Sequence, residues 1–78
     1  MISNQTLQST IEGLKAIARV EFCIMDTEGK EVASTGNISV NGGAVAEFAK
    51  SPADSQEIQG CQYFKIYDEQ QLEYVMVT

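Results

Sequence analysis

No histidine occurs anywhere in this 78-residue chain. Its absence removes the commonest metal ligand and the commonest general base together. Cysteine is scarce as well: Cys23 and Cys61 stand far apart, each in apolar, strand-like surroundings, and no CxxC pair exists. Two thiolates without an imidazole cannot complete a tetrahedral zinc site. With no secretory signal, they read as small buried hydrophobes rather than as a disulfide. Serine and threonine are frequent, but a hydroxyl nucleophile needs an adjacent base that the chain lacks. The carboxylate pairs Glu28/Glu31 and Asp68/Glu69 fall at expected hairpin turns, where water keeps carboxyl groups ordinary. No catalytic residue, metal ligand or cofactor is therefore assigned, and the chain is not read as an enzyme.

Positive charge is also sparse. Five basic residues face 11 acidic ones, for a net charge of −6, and Lys15, Arg19, Lys30, Lys50 and Lys65 are dispersed singly. A duplex-binding surface needs clustered cations to displace counterions from phosphates, so no DNA-binding residue is expected here. Tyr63, Tyr67 and Tyr74 have the ring faces on which bases stack, but without a basic groove they read as packing residues. Gly42-Gly43 belongs to neither a GxGxxG nor a Walker pattern and reads as a hinge or helix start. No apolar run approaches the roughly 20 residues that span a bilayer. The polar start, Met1-Ile2-Ser3-Asn4-Gln5-Thr6, lacks a signal peptide's layout. A soluble, cytoplasmic domain without membrane contact is expected.

What is present is one small domain over residues 1–78, 44% hydrophobic. A chain of this size buries only about 60% of the surface its unfolded form exposes. Leu7, Ile11, Leu14 and Ala18, with Ile17 beside them, recur at helical spacing and predict a helix over Asn4–Ala18, capped by Ser3 or Asn4. Residues 19–25 alternate Val20, Phe22 and Ile24 against Glu21, Cys23 and Met25. The turn Asp26-Thr27-Glu28-Gly29 follows, and 30–35 return as a second strand. Residues 36–43 read as a loop and 44–50 as a short helix ended by Ser51-Pro52. Strands are predicted over 59–67 and 72–78, joined by Asp68-Glu69-Gln70-Gln71. The fold class is α+β: a small antiparallel sheet of four or five strands, an N-terminal helix and a short central helix, with the helices on one face. Leu7, Ile11, Leu14, Phe22, Ile24, Phe48, Phe64 and Val75 are the expected core.

Thr10-Ile11-Glu12-Gly13-Leu14-Lys15-Ala16-Ile17, the run Phe22-Cys23-Ile24-Met25-Asp26-Thr27-Glu28-Gly29-Lys30-Glu31-Val32-Ala33-Ser34-Thr35, and Ser51-Pro52-Ala53-Asp54-Ser55-Gln56 leading to Tyr63-Phe64-Lys65-Ile66-Tyr67-Asp68 belong together. In these segments the chain resembles the N-terminal sugar diacid recognition region of CdaR/PucR-type bacterial transcription regulators, over essentially its whole length. The resemblance implies a PAS-like fold and a sensory role in signal-dependent transcription. It also implies a longer protein, continuing past Thr78, whose C-terminal helix-turn-helix binds the DNA. A sugar diacid would be held by arginine forks. Arg19, the only arginine, and Tyr63 are the candidate ligand contacts.

Two functions fit this reading. One is a sensory domain binding a small organic acid or sugar-derived effector; the other is a purely structural PAS-like dimerisation module. A homodimer is expected under either, because a short chain gains buried area by pairing. A haem or flavin photosensor is not expected, since haem would want histidine and neither cysteine has an Asn-Cys-Arg neighbourhood.

Overall fold

Phe22-Cys23-Ile24-Met25 is apolar at every position because strand β1 (Cys23–Asp26) and the residue before it are buried on both faces. Successive side chains of a strand point to opposite sides. Phe22 and Ile24 therefore enter one core, with Leu7, Ile11 and Ala33. Cys23 and Met25 enter the other, with Val45, Phe48, Tyr63, Val75 and Val77. The computed structural model describes residues 2–36 and 38–78; Met1, and Asn37 in the loop expected over 36–43, lie outside the described residues.

The order is α1 (Asn4–Ala18), β1, β2 (Glu31–Ser34), α2 (Gly42–Lys50), β3 (Ser55–Ile58), β4 (Cys61–Asp68) and β5 (Gln71–Val77). The strands form one antiparallel sheet in the order β2-β1-β5-β4-β3. This is the expected α+β architecture, with one correction. The helices cover opposite faces, α1 with Leu7 and Ile11 on one and α2 with Val45 and Phe48 on the other. Each face carries its own apolar row, so each needs its own cover; fully burying one such side chain contributes about 1.5–3 kcal/mol.

Local chemistry sets the element ends. Ser3 caps α1 by accepting from Thr6 N–H at 3.1 Å. Asn41 caps α2 by accepting from the N–H groups of Gly43 at 2.8 Å and Ala44 at 3.3 Å. The Asp26 carboxylate accepts from Glu28 N–H and Lys30 N–H, both at 2.9 Å, and closes the first hairpin. At the outer edge, the Gln8 side-chain amide on α1 accepts from Ser34 N–H and donates to Ser34 C=O at 2.8 Å. It thus occupies the free backbone positions of β2 as a neighbouring strand would.

Two further expectations change. The strand predicted over 59–67 begins at Cys61, and 55–58 form the edge strand β3, joined to it by Gln59-Gly60. Leu14 is 37% exposed and Phe64 only half-buried, while the other six expected core residues are buried. No helix among the described residues is long and apolar enough to cross a membrane.

Candidate functional site

The sheet face under α1 is covered only in part. That helix packs on β1 and β2, through Phe22, Ile24 and Ala33. The same face of β4 and β5 carries Phe64, Ile66, Tyr74 and Met76, all partly exposed. Tyr74 donates to the Ile2 carbonyl at 3.3 Å, which ties the N-terminal segment to one end of this surface.

Helical geometry shows which flank of α1 is free. At about 100° per residue, Gln8 projects to one side of the sheet-facing Leu7 and Ile11, and Leu14 and Ile17 to the other. Gln8 bonds the outer edge of β2, so Leu14 and Ile17 lie on the flank of α1 that faces away from that edge. Ile17 is 83% exposed, a large apolar side chain given to solvent. Apolar side chains thus stand exposed on the free flank of α1 and partly exposed on the sheet face of β4 and β5, an open trough beside the helix. At the polar end of the helix, Lys15 forms an ion pair with Glu21 at 2.6 Å, and Thr35 Oγ1 donates to the same carboxylate at 2.7 Å. Both bonds hold the Glu21 carboxyl below the usual carboxylate range, the Lys15 bond most.

The second concavity lies on the opposite face. A groove of about 370 Å³ between α2 and β3 is lined by Ala44, Glu47, Phe48, Ser51, Gln56 and Ile58. Its size falls within the range of ligand sites. Glu47 is the one charged residue in the lining. The nearby Lys65 ammonium is already engaged, donating to the Ser51 carbonyl and lying 5.2 Å from the centre of the Phe48 ring.

The residues singled out from sequence are not brought together. Arg19 is exposed at the C-terminal cap of α1, in the left-handed conformation (φ 59°), where its N–H bonds Lys15 C=O. Tyr63 is a core residue of the other face, 4% exposed, packed edge-on against Phe48 with ring centroids 5.7 Å apart. Neither lines the groove. The signal that could have found the trough was the apolar excess on one flank of α1, Leu14 with Ile17.

Both cysteines are free. Cys23 pairs with Val77, which pairs in turn with Tyr63, so Cys23 and β4 lie two strand spacings apart, about 10 Å. Cys61 sits further along β4, out of disulfide reach. Burial, and next the Glu31 carboxylate 3.9 Å away, push the Cys23 thiol up to about 11.

Against known proteins, no family model, curated protein or solved structure matches this chain.

Proposed function

We propose that this domain is the N-terminal regulatory module of a cytoplasmic bacterial transcription regulator of the CdaR/PucR type, working by pairing two subunits. The transcriptional setting rests on the sequence resemblance. The pairing rests on one observation: apolar side chains left exposed on the free flank of α1, Leu14 and Ile17, and partly exposed on the same sheet face, Phe64, Ile66, Tyr74 and Met76. Contiguous apolar surface of this kind marks an interaction site. A two-fold arrangement, in which the same patch meets itself, is the commonest closed solution for identical chains. Two copies would lay the exposed flank of each α1 over the open strands of the other. Paired domains would then hold two helix-turn-helix units, supplied elsewhere in the regulator, at the spacing of DNA half-sites.

The sensory reading draws support from the groove beside α2, whose size suits a ligand. Its lining offers a carboxylate and no free cation, which favours an occupant other than an organic acid. Light scattering tests the pairing. At about 100 µM the expected particle contains two chains, and a monomer at that concentration rules the proposal out.

A further inference from the structure

The two edges of the sheet are treated differently. At β2, the Gln8 amide satisfies the outward N–H and C=O of Ser34. At β3 no such cover exists among the described residues. Lys65 N–H donates to Asp54 C=O, so the alternation of an antiparallel pair turns the backbone groups of Gln56 and Ile58 toward β4 and those of Ser55 and Glu57 outward. An edge of this kind is a template for another strand.

The groove lies beside that edge. Gln56 and Ile58 share the α2 face with their cross-strand partners Tyr63 and Cys61, and both line the groove. A strand added to β3 would alternate its side chains in the same way. Those on the α2 face would drop onto Ala44, Phe48 and Ile58, an apolar floor. Those on the other face would stand beside the exposed Glu57 carboxylate, which accepts from Gln62 Nε2 at 3.1 Å. Glu47 adds a second carboxylate at the groove.

From this geometry we infer that β3 and its groove form a strand-addition site for an extended partner peptide of alternating apolar and basic residues. Backbone bonds to Ser55 and Glu57 hold the peptide, and the groove selects its apolar side chains. Charge decides the occupant. A second copy would set two chains of net charge −6 edge to edge, whereas the basic side chains of such a peptide meet Glu57 with opposite charge.

The test is a titration of the intact chain, followed by amide NMR, with the peptide acetyl-Leu-Lys-Leu-Lys-Leu-Lys-amide. Saturable shifts are expected at Ser55 and Glu57 and along Ala44 to Phe48, with a Kd below about 1 mM. The same peptide N-methylated at alternate backbone nitrogens should not bind. Glu57→Lys, an exposed change that leaves the fold intact, should weaken binding by about 5-fold or more. No shifts at about 1 mM peptide would overturn the inference. So would shifts confined to the trough under α1, or equal binding of the N-methylated peptide. Shifts of the β3 amides with protein concentration alone would also overturn it, by making the occupant a second copy.

Discussion

Gly29 and Gly42 meet backbone against backbone. A Cβ built on Gly29 would lie 2.3 Å from the Gly42 carbonyl oxygen, and one on Gly42 would lie 2.6 Å from the Gly29 oxygen. Gly29 also holds φ at 89°, which side chains rarely adopt. The contact locks the first hairpin turn to the first residue of α2. Either glycine changed to alanine should cost about 2 kcal/mol or more, because backbone rather than a flexible side chain has to move. The melting midpoint should then fall by roughly 10 °C. Gly13 is the control: it has no neighbour within 4 Å of such a Cβ. Inside an exposed helical stretch, Gly13→Ala should raise stability by about 0.5–1 kcal/mol.

The turn between β4 and β5 stores a removable cost. Glu69 (φ 53°) and Gln70 (φ 68°) both occupy left-handed backbone, the requirement of a type I′ turn, without glycine or asparagine to relieve it. The double change Glu69→Asn and Gln70→Gly should stabilise the domain by about 1 kcal/mol or more, read as a higher denaturation midpoint. An unchanged midpoint would show that the turn is unstrained.

The cysteines should separate by reactivity. Cys61 is partly exposed and Cys23 buried, so a thiol reagent should label Cys61 first and Cys23 only at the rate of unfolding. Cys23 also ties stability to alkaline pH. Its thiol is held at about 11 in the fold, against an ordinary value near 8.5 in the unfolded chain. Stability is therefore full below about pH 8.5 and falls as pH rises toward about 11, where only the unfolded state gives up the proton freely. Denaturation of the parent and of Cys23→Ala across that range should show a slope that the variant loses.

Much of the fold was legible. The spacing of Leu7 and Ile11, the Asp26-to-Gly29 turn and Pro52 after α2 are local signals, and local signals survive folding. Two features were not read. Ser55-Gln56-Glu57-Ile58 is polar because an edge strand with one open side has little apolar surface to hide, so its composition resembles a loop. Only Gln59-Gly60, a two-residue turn, marked it. The placement of α1 and α2 on opposite faces was written in Phe22-Cys23-Ile24-Met25, since an unbroken apolar run signals a strand covered twice. The trough and the β3 groove depend on strand order, which no single segment encodes. That is why Arg19 and Tyr63, chosen by residue type, fall on neither.

Pairing through the trough has a salt signature. Two copies of net charge −6 repel at long range while their apolar surfaces attract at contact. Association should therefore tighten between about 20 mM and 500 mM salt as screening shortens the repulsion. Ile17→Glu, at a position 83% exposed, should leave the monomer fold within about 0.5 kcal/mol of the parent. It should weaken dimerisation by about 10-fold, measured by sedimentation equilibrium. An unchanged dimer constant would place the interface elsewhere.

The most direct test is an isotope-filtered NOE measurement on an equal mixture of labelled and unlabelled chains. It reports only contacts between copies. The expected result is cross-peaks from the Leu14 and Ile17 methyl groups of one copy to Met76, Ile66 and the Phe64 ring of the other. Absence of intermolecular cross-peaks at about 1 mM protein, or cross-peaks confined to β3, would contradict pairing through the open sheet face.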